Sequence, residues 1–171
     1  MFIENKKVVI ENTEVLAELQ VFEDGDGKKL KNIYEKWVGL SSLCQEMKGR
    51  KINIPEIISE GLFCIEFGCA RFLKCTGKIS SSFDCLELEN NTRIQVKATS
   101  VKEDLTSFGP KSTWDEIYLV HFLPNDHYDG SYRVYKIDDD LIYSHKVNKN
   151  ETFKDQQLAG KRPVSVRDSR N

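Results

Sequence analysis

The sequence predicts an α/β or α+β fold, a central mixed β-sheet flanked by helices. Three observations carry this expectation. Apolar residues in the first 75 positions recur at spacings of three and four, the period of amphipathic helices. Two short strand-like runs then flank Asn90-Asn91, a dipeptide that tolerates the positive φ of a tight hairpin turn. Further on, "WDEIYLVHFL", residues 114–123, is apolar on both faces, as a strand inside a sheet is. Helices followed by strands in this order give a sheet with helices packed against it.

The elements follow in chain order. Residues 2–10 form a short strand or an irregular entry. Asn12 or Thr13 then caps a helix carrying Val15, Leu16 and Leu19. "EDGDG", residues 23–27, is a turn; it lacks the closing Glu and other ligands of a calcium loop. A second helix carries Leu30, Ile33, Tyr34, Trp37 and Val38. Pro55 opens a third, since its missing N–H costs nothing in a first turn. That helix runs through "PEIISEGLFCIEFGCARFLKC", with Ile58, Leu62, Ile65, Cys69 and Phe72 on one stripe and Glu56, Glu60, Phe63 and Phe67 beside it. Gly61 and Gly68 weaken a helix intrinsically, which points to close packing at both. Strands at about 82–89 and 92–99 form the hairpin. "GSYRVYKI" is a later strand, reached through "NDHYDG", and "DDDLIYSH" opens a short helix with acids in its first turn.

The totals bound the class. At 171 residues the chain is expected to be a single domain, with an N-terminal helical part (about 1–50) and a basic C-terminal segment (about 145–171). No apolar run approaches the roughly 20 residues of a membrane span. The opening "MFIENKKVVIENTE" carries acids early, so no signal peptide is expected. The five cysteines contain no C-x-x-C pair, which argues against a zinc site and for reduced, mostly buried thiols in the cytoplasm. A net charge of −2 is unlike that of a general nucleic-acid binder. Its distribution is uneven, however. Residues 145–171 hold seven Lys/Arg against three Asp/Glu, while the remainder carries 18 against 24. A basic segment on an acidic body suggests one face meant for polyanions, or else a solvated tail.

The hairpin holds the chemistry. With a two-residue turn at Asn90-Asn91, Leu86 lies opposite Gln95 and Asp84 opposite Lys97. Asp84, Leu86, Gln95 and Lys97 then project from one face, with Asp84 and Gln95 as diagonal neighbours. A hard cation such as Mg²⁺ takes oxygen ligands and keeps several waters. Asp84 offers a carboxylate, Gln95 an amide oxygen and Val96 a main-chain carbonyl, while Lys97 can neutralise a phosphate or help deprotonate a water. A second carboxylate would strengthen the site, and the preceding helix offers Glu60 first, then Glu56 or Glu66. Taken alone, the spacing is also that of an ordinary cross-strand Asp–Lys pair.

An acid on one strand and an acid-x-Lys triplet on its neighbour resembles the PD-(D/E)xK nuclease core. The blocks "INIPEIISEGLFCIEFGC", "SSSFDC", "RIQVKATSV", "DLTSFGPKS", "YKI", "HKVNK" and "TFKDQQLAGKRP" resemble the small type II restriction endonucleases that cut GC-N-GC. The likeness spans about residues 52–163. Two departures stand out: Phe83 replaces the proline before the first acid, and Gln95 replaces the second acid. The resemblance implies a restriction-endonuclease-like core and catalytic Asp84, Gln95, Lys97 and Glu60. The metal would be bound by Asp84, Gln95, Glu60 and the Val96 carbonyl. It implies Mg²⁺ as cofactor, replaceable by Mn²⁺, and 5′-phosphate ends. It also implies a homodimer on double-stranded DNA, and a cognate methyltransferase that protects host DNA without having to bind this chain. Thr99 shares a face with Lys97 and is an ordinary strand threonine or a phosphate contact. The residues alone leave open a structure-selective nuclease, such as a junction resolvase or repair enzyme, or a non-catalytic DNA-binding module.

Duplex binding needs Lys, Arg and polar donors on phosphates, and Arg, Lys or carbonyl acceptors on G and C edges. Ser107, Lys111 and Ser112 in the "FGPKS" loop region are candidates. So are Lys146, Asn148, Lys149, Lys154, Asp155, Gln156, Gln157, Lys161 and Arg162 in the basic segment. Tyr34 and Trp37 are candidates for a dimer contact or, more simply, for the core.

Overall fold

Alternation rather than helical periodicity governs the first 21 residues. In the computed structural model, β1 (Phe2–Ile10) and β2 (Thr13–Val21) form an antiparallel hairpin in which Ile10 pairs with Thr13. Val8 and Ile10 are buried while Val9 between them is 51% exposed. Val15, Ala17 and Leu19 are buried in the same period of two. The helix expected from Asn12 is therefore a strand. Asn12 does not cap; it takes a left-handed φ of 62° in the hairpin connection. The structure describes residues 1–10, 12–77, 83–100, 114–122, 130–137, 146, 148–152, 155 and 158–159.

The second expected helix forms as α1 (Asp26–Glu46), which buries Leu30, Tyr34, Trp37 and Ser41 on one stripe. Its first turn is closed by Asp26, whose Oδ2 accepts the Glu23 N–H at 3.0 Å. The expected N-terminal helical part is thus a hairpin followed by one helix. Tyr34 and Trp37 are core residues against Phe122, and Trp37 donates its indole N–H to the Ile52 carbonyl at 3.1 Å.

The helix opened by Pro55 is shorter than its apolar stripe suggests. α2 (Glu56–Phe67) ends at Gly68, which adopts φ 66°, a conformation glycine reaches without a Cβ clash. The chain then turns back as β3 (Ala70–Cys75), so Cys69 and Phe72 are not on the helix. The buried positions of α2 are Ile58, Ser59, Gly61, Phe63 and Cys64, while Ile65 is 41% exposed. At Gly61 close packing is the cause: an added Cβ would lie 3.0 Å from Leu30 Cδ1 and 3.2 Å from Phe22 Cζ. At Gly68 nothing lies within 4 Å, and the cause is backbone conformation.

Among the described residues, a seven-stranded mixed sheet runs β1 to β7 in sequence order. It continues through β4 (Cys85–Leu86), β5 (Arg93–Thr99), β6 (Glu116–Phe122) and β7 (Tyr132–Lys136). All neighbours are antiparallel except β5 and β6, which are parallel. β6 is an internal strand, as its apolar faces require. Arg93 pins the parallel pair: its guanidinium grips Asp115 through Nε and Nη2, both at 3.0 Å. One core joins α1 and α2 to Cys85, Ile94, Val96, Val120 and Phe122. A second gathers Val8, Ile10, Val15, Ala17, Leu19, Ala70, Phe72, Phe83 and Leu86 around β1–β4. The expected "DDDLIYSH" helix and most of "NDHYDG" lie outside the described residues.

The β4–β5 hairpin has a longer turn than expected. Glu87 N–H bonds the Thr92 carbonyl at 3.0 Å, and Asn91 N–H returns to Glu87 at 3.1 Å. Asn91 holds φ 59°, and Asn90 Oδ1 accepts the Thr92 N–H. Four residues, not two, bridge the strands. Cys85 therefore faces Ile94 and Leu86 faces Arg93, a shift of two residues from the expected pairing. An even shift moves partners along the strand without turning side chains to the other face.

Candidate active site

β4 pairs with β5 for only two residues, and the ladder is open beyond Ile94. The Asp84 carboxylate occupies that opening. Its Oδ2 accepts the main-chain N–H of Val96 at 2.8 Å and the side-chain N–H of Gln95. The shifted register brings Asp84 and Gln95 into direct contact, closer than the diagonal relation expected. A carboxylate only accepts, so the amide turns its NH₂ toward it. In this arrangement Gln95, which is 4% exposed, holds Asp84 in place.

Two further charged groups are coupled to this pair: the Asp84 charge bears on Glu60, one turn into α2, and the charge of Lys97, two residues beyond Gln95 on β5, bears on Asp84. Burial pushes the Asp84 carboxyl up, while the Val96 N–H and the Lys97 charge pull it down. Burial likewise pushes Glu60 up to about 7; the Arg71 hydrogen bond opposes this and the Asp84 charge adds to it. Two mutually repelling acids in a half-buried opening form a donor set suited to a hard divalent cation, which would remove the repulsion. The residues present therefore fit such an ion.

Geometry also separates the three helix acids. Glu60 is nearly buried, with 12% side-chain exposure. Glu56 is 76% exposed and meets Arg71 from outside. Glu66 accepts the Tyr132 hydroxyl at 2.8 Å, on the β7 side. Thr99 is buried on β5.

Among the expected DNA contacts, Lys146, Asn148 and Lys149 are described and all three are exposed. Asn148 is engaged in its own turn: its Oδ1 accepts the Asn150 and Glu151 N–H groups at 2.8 and 2.9 Å. Asp155 and Thr152 cap one another reciprocally, with Thr152 N–H to Asp155 at 2.7 Å and Asp155 N–H to Thr152 Oγ1 at 3.1 Å. Ser107, Lys111, Ser112, Lys154, Gln156, Gln157, Lys161 and Arg162 lie outside the described residues.

Two features escaped sequence reasoning. Arg71 is half-buried and bonded to Glu60, within a segment that reads as helix, and only the strand makes it face α2. Cys64, Cys69 and Cys85 bring their sulfurs within 4.8 Å of one another, inside the helix-side core. Cys64 and Cys69 are five residues apart and Cys85 comes from β4, so no C-x-x-C spacing signals the trio.

Comparison with known proteins adds independent findings. A family model described as Bsp6I restriction endonuclease matches residues 22–169. The type II restriction enzyme Bsp6I of Bacillus sp. (strain RFL6) is 36% identical over 133 residues, covering 76% of this chain and 71% of that protein. No solved structure matches.

Proposed function

This chain belongs to the Bsp6I restriction endonuclease family and is a type II site-specific deoxyribonuclease; from that premise we propose how and where it cuts. The proposed reaction is hydrolysis of double-stranded DNA at a short palindrome, GC-N-GC, leaving 5′-phosphate ends. The observation that carries it is the opening beside β4, where Asp84 is held by Gln95 and Val96, feels the Lys97 charge and itself bears on Glu60.

Asp84, Glu60, Gln95 and the Val96 carbonyl would hold Mg²⁺, or Mn²⁺ in its place. When bound, such an ion would supply Lewis acidity to the attacking water and to the phosphate. Lys97 places its ammonium beside the phosphate, neutralising part of that charge and orienting the attacking water. The water oxygen forms a bond to phosphorus as the bond to the 3′-oxygen breaks, so the phosphate stays on the 5′ side. Gln95 and the Val96 N–H keep the Asp84 carboxylate from rotating during this step.

A palindrome presents the same half-site on both strands, which suits a two-fold homodimer with one site per strand. The whole chain is read as one nuclease domain acting in the cytoplasm, with a cognate methyltransferase protecting host DNA. Its DNA surface combines the "FGPKS" region (Ser107, Lys111, Ser112) with the basic segment from Lys146 to Arg162. The test is a plasmid digest in Mg²⁺ with sequencing of the fragment ends. Discrete ends within GC-N-GC bearing 5′-phosphates are expected. A smear, uncut DNA or ends at unrelated sequences would overturn the proposal.

A further inference from the structure

We propose that Arg71 is the positioning residue of Glu60, doing for that acid what Gln95 and Val96 do for Asp84. The inference rests on reading Glu60 and Asp84 as the acids of the site. The fold treats the two alike. Asp84 gives Oδ2 to its two donors, and Glu60 gives Oε2 to Arg71 Nε at 2.5 Å. Among the described residues, Asp84 Oδ1 and Glu60 Oε1 accept no hydrogen bond. Each carboxylate is thus held by one oxygen and presents the other, the arrangement that outer donors impose on metal-binding acids.

Arg71 is itself fixed from three directions. It stands on β3 opposite Cys85, the residue after Asp84. Its Nη2 bonds Glu56 at 2.7 Å, and its Nη1 reaches Gln20 Oε1 on β2 at 3.4 Å. Its side chain is 14% exposed. A planar fork engaged at three nitrogens has one orientation, and that orientation fixes the Glu60 carboxylate it grips, an acid that feels the Asp84 charge. Glu56 completes the fork from an exposed position.

An ion pair that merely stabilised the fold would not influence cation binding, so the test reads binding directly. Mn²⁺ is titrated into the full chain without DNA and free Mn²⁺ is followed by electron paramagnetic resonance. Wild type is compared with Arg71→Met, Arg71→Lys, Glu60→Gln and the pair Arg71→Met/Glu60→Gln, thermal midpoints confirming that each is folded. Arg71→Met is expected to weaken Mn²⁺ binding about 10-fold or more. Arg71→Lys should recover part of that loss, and the double variant should bind no more weakly than Glu60→Gln alone, because the two residues act as one unit. Wild-type Mn²⁺ affinity in a folded Arg71→Met, or losses that add in the double variant, would overturn the role. If Arg71→Met does not fold, Arg71→Lys with and without Glu60→Gln supplies the same comparison. Unchanged Mn²⁺ binding in both Glu60→Gln and Asp84→Ala would instead reject the acids themselves, and the inference with them.

Discussion

At the scale of the residue, the proposed site is a set of acids arranged against their preference for water. Glu60 is the clearest case, because burial and the Asp84 charge together push it up to about 7. The unfolded chain gives up this proton near 4.5, so between these pH values the folded state binds more proton than the unfolded state. Stability from this group is full at low pH and is lost as pH rises toward 7. Cation binding has the opposite sign, since it needs the ionised form. We therefore predict that the metal-free thermal midpoint falls between pH 5 and 8 more steeply in wild type than in Glu60→Gln. The Mn²⁺ affinity of wild type should climb over the same range. Identical pH profiles for the two proteins would remove Glu60 from the site. That Asp84 and Gln95 meet was legible from spacing, because strand alternation survives an even shift in register. The role of Gln95 was not, because whether an amide offers its oxygen or its N–H depends on which atom faces it. Arg71 was not legible either, since its value lies wholly in three partners distant in sequence.

At the scale of the element, two glycines show why α2 ends where it does and how closely it packs. The apolar positions from Ile58 to Phe72 satisfy a helical period, yet a period cannot show where a chain reverses. Gly68 makes the break by taking a left-handed φ, and Cys69, Ala70 and Phe72 then bury as strand residues. Gly68→Ala should cost about 1–2 kcal/mol, the strain of a Cβ in that conformation. Gly61 presents the opposite problem, since its backbone is ordinary and its neighbours are near. Gly61→Val should cost about 1–3 kcal/mol through overpacking against Leu30 and Phe22. Urea unfolding measures both; a neutral Gly61→Val would mean that the α1–α2 contact is looser than described. The misread β2 follows from the same weakness of periodicity. Val15, Leu16 and Leu19 fit a helix by spacing, but Ala17 completes an alternation of two that the β1 partner strand rewards.

At the scale of the whole molecule, fold class was legible because it depends on the order of patterns, which survives errors in individual elements. The elements α2, β3, β4 and β5 follow one another in the chain, and the stretch from Glu56 to Thr99 furnishes the proposed site. Family membership was legible in ordered blocks of similarity, a signal that no single triplet supplies. The proposed DNA surface rests on composition: seven Lys/Arg in residues 145–171 against an acidic remainder. Spacing within that segment assigns no base contact, since irregular chain lacks the periodicity that fixes which side chains share a face.

The most direct test of the account is single-turnover cleavage of a duplex carrying one GC-N-GC site, by wild type and by Asp84→Ala, with affinity for the same duplex measured in parallel. The account predicts a rate about 100-fold or more slower for Asp84→Ala, with binding of that duplex retained. Undiminished cleavage by a folded Asp84→Ala would contradict it.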